Sequence, residues 1–225
     1  MLPEFFYGPV YDETKRFVSL SSYPLHNTRM YEHGFREHLL CRECEGQFSR
    51  YEAYAAGLLR KIDEHRTPDG RAIMIPGFDY RRFKLFGLSL LWRSHVTRLH
   101  MFGAVKLGAH AEKIRAMLAA EDPGEPSTYC FAVLKIEGSK SANTVIQAPA
   151  KIRFREHNAY VFLAYGYEWL FIVSGHSNML PADYPFVGMK PELVILIQNR
   201  GEAGFIREVR RRLGPELIEK AKRYK

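Results

Sequence analysis

Cys41 and Cys44 are the residues whose type and spacing most directly indicate chemistry in this 225-residue chain. Two cysteines separated by two residues supply half of a tetrahedral zinc site, and the sequence holds no second such pair. His38, three residues before Cys41, is predicted as a third ligand, and His33 or Cys130 as a fourth. We therefore expect a structural zinc held partly by this pair.

Two other interpretations of the cysteine pair stay open. A redox Cys-x-x-Cys belongs at the end of a strand in a βαβ unit, and the segment before Cys41 lacks that pattern. The pair could also be a relic that binds nothing. Metal binding is favoured because an amphipathic helix begins at the second cysteine, where backbone amides and the helix dipole stabilise thiolates.

Basic residues are concentrated in two helical regions of this chain of net charge +8. Residues 80–115 carry eight Lys or Arg against a single acid, and the last 25 residues carry eight against four. This arrangement favours a polyanion such as DNA as partner. The alternative, that these are only solvated faces of a basic protein, predicts the same sequence pattern. The residues predicted to contact nucleic acid are Arg81, Arg82, Lys84, Arg98, Arg207, Arg210 and Arg211.

Hydrophobic spacing predicts three helices in the first half of the chain. The first runs from Gly46 to about residue 65, and the third from His110 to Glu121. The second follows Asp79, a plausible N-cap, and extends to about residue 101. Its middle is apolar almost all round, which predicts the central buried helix.

After Pro126 the pattern changes to strands and then to a basic helix from about residue 204 to 222. The order predicts an α+β fold: a remnant treble-clef or zinc-knuckle region, a helical middle, an antiparallel sheet and a C-terminal helix. We expect two domains, a treble-clef-derived helical region at residues 1–122 and a sheet region with the C-terminal helix at residues 123–225, or one continuous domain. The predicted strands are Tyr129–Glu137, Thr144–Phe154, Tyr160–Tyr165, Glu168–Ser174 and Leu193–Gln198.

Arg93 closes the predicted buried helix. An arginine among apolar residues usually satisfies a carboxylate, and we expect Asp79 or Glu45 as its partner. Because this role is structural, Arg93 is left out of the predicted nucleic-acid contacts.

Several function classes lack support. No Walker loop, Gly-x-Gly-x-x-Gly, Gly-x-Ser-x-Gly or His-Glu-x-x-His motif is present. No apolar run approaches the roughly 20 residues needed to span a bilayer, and the first residues do not resemble a signal peptide. We therefore expect no membrane association and a cytoplasmic location.

Spaced motifs across about residues 2–120 resemble a largely uncharacterised group of bacterial proteins related to HNH endonucleases. The motifs are Pro3-Glu4-Phe5-Phe6-Tyr7, Tyr11-Asp12-Glu13, Leu39-Leu40-Cys41-x-x-Cys44-Glu45, Phe48-Ser49-Arg50-Tyr51-Glu52, Phe78-Asp79-Tyr80, Lys84-Leu85-Phe86 and Ser89-Leu90-Leu91-Trp92-Arg93. The resemblance implies a treble-clef fold in which two cysteine pairs hold a structural zinc. It also implies a catalytic histidine in a His-x-Ile-Pro segment that activates water beside a divalent metal.

Leu2-Pro3 match the end of that segment, so the resemblance places its histidine and the first cysteine pair before Met1. Glu45 falls where the group has a metal-binding His or Asn, and glutamate can ligate Mg²⁺. The resemblance therefore implies an HNH-related nucleic-acid-binding protein, degenerate or truncated, with weak or no nuclease activity.

Two alternatives remain. The chain could be a structural or interaction protein, homodimeric or bridged by a shared zinc. It could also belong to an active metal-dependent endonuclease whose true start lies upstream.

Overall fold

A computed structural model describes residues 2–19, 29–174, 180, 181 and 183–201. The predicted C-terminal helix lies outside these residues. Within them the predicted α+β class is confirmed, with helices and a mixed sheet. The helices are α1 (Glu4–Tyr7), α2 (Arg42–Arg60), α3 (Tyr80–Val96) and α4 (His110–Ala119). The strands are β1 (Phe17–Ser19), β2 (Arg29–Tyr31), β3 (Ala72–Ile75), β4 (Phe131–Glu137), β5 (Gln147–Phe154), β6 (His157–Ala164), β7 (Tyr167–Val173) and β8 (Leu193–Asn199).

The main sheet has six strands in the order β3-β8-β4-β7-β6-β5. Strand β8 enters between β3 and β4, antiparallel to β3 and parallel to β4. The other neighbours are antiparallel. The prediction of an antiparallel sheet is therefore wrong for one central pair, and it missed β3 altogether.

Helix α3 lies at the centre of the core, as its composition predicts. The Asp79 carboxylate accepts a hydrogen bond from the Arg82 amide at 2.9 Å, which confirms Asp79 as the N-cap. Residues 83–91 are all buried. The helix ends at Val96, and at Thr97 the backbone becomes extended while the Thr97 amide donates to the carbonyl oxygen of Arg93.

One hydrophobic core joins the two regions expected from the sequence. Ile73 and Ile75 of β3 pair with Ile195 and Leu193 of β8, so the first region contributes a strand to the sheet of the second. The same core includes residues of α1, α2, α3 and α4 and one face of the sheet. The main core therefore contains residues from both sides of positions 122 and 123.

The hairpin formed by β1 and β2 precedes α2. Phe17 stacks on Tyr31 with ring centres 5.5 Å apart. The ring of Phe17 also contacts Tyr7, a buried core residue of α1. These aromatic contacts fix the hairpin beside the segment that leads to Cys41.

Gly87 is the position where α3 packs most closely on the sheet. A Cβ atom at Gly87 would overlap the ring of Phe131, whereas one at Gly57, in α2, would meet no atom within 4 Å. We expect Gly87→Ala to lower the free energy of unfolding by about 2 kcal/mol through overpacking. Gly57→Ala should instead raise it by up to about 1 kcal/mol, because alanine favours the helix. Urea unfolding of both variants measures these changes. If the free energy of unfolding changed in the same direction in both variants, the close packing at Gly87 would be contradicted.

Candidate functional site

Cys41 occupies the N-cap position of α2, and Cys44 lies in the first turn of that helix. The neighbouring Cys44 backbone amide and then the Cys44 thiol lower the pKa of Cys41. The Cys41 thiol is in turn the largest cause that raises the pKa of Cys44. Cys41 therefore ionises first, in agreement with the expected effect of helix amides on a thiolate.

The remaining predicted zinc ligands do not gather around this pair. Among the described residues, no three His, Cys, Asp or Glu side chains form a group that could hold a metal ion. His38 and His33 are exposed, and Cys130 is buried in a small apolar cluster on the sheet. Two thiols are half of what a tetrahedral zinc site needs, and the described residues do not complete such a site around Cys41 and Cys44.

Arg93 has the structural role that the sequence predicts, but with another partner. Its Nη1 lies 2.7 Å from Oε1 of Glu52, which projects from α2. The side chain of Arg93 is 6% exposed and that of Glu52 23%. Asp79 caps α3 instead, and Glu45 is exposed at the start of α2. The ion pair therefore joins α2 to α3.

Two of the predicted nucleic-acid contacts lie at the start of α3 and are already paired. Arg81 donates from Nε to the carbonyl oxygen of Glu121 at 2.8 Å, and Nε of Arg82 lies 3.3 Å from Oδ2 of Asp79. Arg98 lies beyond the other end of α3, about 25 Å away along the helix. Arg207, Arg210 and Arg211 lie outside the described residues.

Lys84 needs correction as a surface contact, because its side chain is completely buried. It projects from the apolar middle of α3, where its charge alone suggested exposure. Its Nζ donates to the carbonyl oxygen of Pro126 at 3.4 Å and lies 5.9 Å from the ring centre of Phe131. Burial lowers the pKa of Lys84 to about 8, and the Cys130 thiol has its pKa raised by burial to about 11. We therefore expect Lys84 to affect the stability of the fold and not to contact a ligand.

A basic surface that the site prediction missed lies where the edge strand β5 meets the connection between α3 and α4. Tyr160 of β6 accepts a hydrogen bond at Oη from the Lys106 amide at 2.9 Å and donates one to the Lys106 carbonyl oxygen at 2.8 Å. Lys151 is the cross-strand partner of Tyr160, and directly opposite residues share a face of the sheet. Lys106 and Lys151 therefore flank the same tyrosine.

Two further arginines extend this surface. Arg153 follows Lys151 on the same face of β5 and donates to the carbonyl oxygen of Glu156 at 2.8 Å. Arg98 precedes the 3₁₀ turn His100–Phe102, which packs against β5. We call Arg98, Lys106, Lys151 and Arg153 the basic seam. All four are exposed, and none forms an ion pair with any residue in the described ranges.

One sequence signal for the seam was available. Lys151 and Arg153 alternate with Ile152 and Phe154, which pack in a small cluster on the opposite face of the sheet. This period of two predicts a strand with one basic face. Only the fold shows that Lys106 lies beside that face.

Comparison with protein-family models, with curated proteins and with solved structures finds no match to this chain. In the described part of the chain, no helix is both long and apolar enough to cross a membrane.

Proposed function

We propose that the protein binds nucleic acid, with DNA as the expected form, through the phosphate backbone at the basic seam. The observation that carries the proposal is the set of four exposed cations whose side chains form no ion pair within the described residues, on a surface built from two parts of the fold. Same-face residues of a strand lie about 7 Å apart, so Lys151 and Arg153 present separate charges to a chain of phosphates. Lysine and arginine at such spacing neutralise phosphates and release counterions.

The proposal includes descent from an HNH-related, treble-clef protein. Its support is the order of elements: the β1–β2 hairpin is followed directly by α2, with Cys41 and Cys44 at the helix start. A zinc held partly by these thiols would fix the hairpin against the helix. Its remaining ligands, His38 among them, are part of the proposal.

Binding, rather than hydrolysis, is the activity proposed for these residues. Glu45 is the residue to which the HNH resemblance gives a role at a catalytic divalent metal, and it is exposed in the first turn of α2. One carboxylate does not hold such an ion, because Mg²⁺ sites use further carboxylates or substrate phosphates. A weak, Mg²⁺-dependent cleavage of bound DNA that is lost in Glu45→Gln would extend the proposal.

The test is DNA binding measured by fluorescence anisotropy between 50 and 300 mM salt. We expect Lys106→Gln with Lys151→Gln to weaken binding of a duplex at least tenfold. The slope of log K against log salt should fall by about 2, because two phosphate contacts are lost.

A matched control is available at the opposite edge of the sheet. Lys61 and Arg71 lie beside β3, five strand spacings or about 24 Å from β5, and both are exposed without ion pairs to other described residues. Lys61→Gln with Arg71→Gln changes the net charge equally and should alter affinity less than threefold. Equal losses in the two double variants, or binding by the wild type that ignores salt, would overturn the proposal.

A further inference from the structure

Cys41 and Cys44 are two nucleophilic side chains that the basic seam does not use. Cys41 is the N-cap of α2, with φ −73° and ψ 164°, and Cys44 is the third residue of the helix. The Cys41 carbonyl oxygen accepts a hydrogen bond of 2.9 Å from the Glu45 amide, so the first helical turn is closed at the pair. This closed turn fixes the separation of the two cysteine backbones.

That separation suits a disulfide bond. Residues three apart in a helix have Cα atoms about 5 Å apart, and disulfides span about 4.4–6.8 Å between Cα atoms. The extended ψ of an N-cap residue turns its side chain over the first-turn amides, towards the third helical position. Each of the two thiols also shifts the pKa of the other, which requires neighbouring sulfur groups. Bond formation therefore needs rotation of two side chains and not a rearrangement of the helix.

Access to the sulfur atoms favours the same bond. Cys41 is exposed and Cys44 is half-buried, so a small reagent reaches Cys41 first. The full sequence contains three cysteines, and the third, Cys130, is buried in an apolar cluster on the sheet. Once Cys41 has reacted, the Cys44 thiol is therefore the one placed to resolve it.

We propose that Cys41 and Cys44 form a reversible disulfide by exchange with a small disulfide of the glutathione class. Cys41 gives up its proton and its sulfur attacks one sulfur of the small disulfide. A mixed disulfide forms, and the first small thiol leaves with the proton. Cys44 then gives up its proton and attacks the Cys41 sulfur, which releases the second small thiol. Two protein thiols are oxidised, and one small disulfide is reduced to two thiols.

The disulfide and the zinc of the proposed function exclude each other, because both use the same two sulfur atoms. Oxidation would release a metal from the pair, and a bound metal would protect the pair from oxidation. The inference rests on the placement of the two thiols and depends neither on zinc nor on nucleic-acid binding. Its test therefore uses the metal-free chain first.

The experiment equilibrates the full chain with mixtures of reduced and oxidised glutathione in the presence of EDTA. Each sample is quenched with acid, and the free thiols are labelled with a maleimide in denaturant and counted by mass. We expect the labels to fall from three to one in a single step, with Cys130 keeping its label. Trypsin cleaves between the pair at Arg42, so the disulfide links two peptides, whereas a glutathione adduct remains on one.

Serine variants separate the roles of the two thiols. Cys130→Ser, the control, should oxidise like the wild type, with labels falling from two to none. Cys44→Ser should stop with one glutathione on Cys41, because the second exchange lacks its nucleophile. Cys41→Ser should react with oxidised glutathione about tenfold more slowly than Cys44→Ser, because its remaining thiol is half-buried. Serine is a favoured N-cap, so α2 is retained in Cys41→Ser.

A comparison with the unfolded chain tests whether the fold itself places the thiols. The equilibrium constant for oxidation should be about tenfold larger in the native chain than in 8 M urea, where a flexible segment must be closed into the ring. An equal or smaller constant in the native chain would overturn the inference. So would two glutathione adducts in place of linked peptides, or three labels at every glutathione ratio.

Replacing EDTA with zinc tests the metal separately. If the pair binds zinc, oxidation should become slower, and the disulfide inference stands together with the zinc of the proposed function. If zinc leaves the rate unchanged, the zinc is contradicted, while a disulfide formed in EDTA still supports the inference.

Discussion

Replacing Lys84 with methionine should raise the free energy of unfolding by about 3 kcal/mol at pH 7. Burial holds the pKa of this lysine at about 8, below its ordinary value of 10.5, and the difference corresponds to about that free energy. Methionine has a similar length, carries no charge and suits a site between α3 and β4. A buried ammonium whose hydrogen bond to the Pro126 carbonyl oxygen is 3.4 Å long therefore gives way to a well-packed apolar group.

The pH dependence provides the sharper check. Because the folded pKa is the lower one, the unfolded chain binds more protons between pH 8 and 10.5, and stability rises with pH in that range. The cost of burial is present in full below pH 8 and is gone above pH 10.5. The difference in unfolding free energy between Lys84→Met and wild type should shrink accordingly.

Tyrosines that titrate between pH 8 and 10.5 contribute equally to the variant and the wild type, so their contribution cancels in the difference between the two free energies. The Cys130 thiol, with its pKa raised to about 11, stays neutral through most of this range. Lys113→Met changes an exposed lysine of α4 and should show neither effect. A destabilised Lys84→Met variant, or a difference that ignores pH, would contradict the expected cost of burial.

Glu52→Ala should lower the free energy of unfolding by about 3 kcal/mol. The Arg93 guanidinium is 6% exposed, stays charged at all accessible pH values and would lose its only carboxylate among the described residues. Its remaining contacts are two hydrogen bonds of 3.3 Å to Ser89 and the ring of Phe48, 5.6 Å away. These do not compensate for an unpaired buried charge.

A second variant tests whether the loss of stability comes from the missing ion pair or from the unpaired charge of Arg93. Adding Arg93→Met to Glu52→Ala should recover more than half of the loss, because the uncompensated charge is removed. Glu64→Ala, at an exposed glutamate without an ion pair to other described residues, should change stability by less than about 0.5 kcal/mol. Urea unfolding measures all three, and additive losses in the double variant would contradict the argument.

Helices were more predictable than the sheet for a physical reason. The cap at Asp79 and the apolar run after it are local signals, and they predicted α3 correctly at its start. Strand β3 has only four residues between turns, so its two buried isoleucines gave no period to detect. The parallel pairing of β4 and β8 depends on contacts between distant segments, which no local pattern encodes.

The candidate sites show the same limit. Net charge placed Lys84 on the surface, although the apolar residues around it in α3 favoured burial. Glu52 was not foreseen as the partner of Arg93, because the choice among carboxylates depends on how α2 lies against α3. The basic seam required knowledge of which side of β5 faces Lys106.

The position of β8 also governs when the protein can finish folding. Strand β3 pairs with a segment about 120 residues further along the chain, and β4 acquires its second neighbour from the same segment. During synthesis the α3 side of the core is made early, but one edge of β4 stays open and β3 stays unpaired until residue 199 leaves the ribosome. Such distant pairing slows folding and exposes apolar strand edges in the meantime. A nascent chain that stops before Leu193 should therefore be sensitive to protease, and acquire resistance only once β8 is complete.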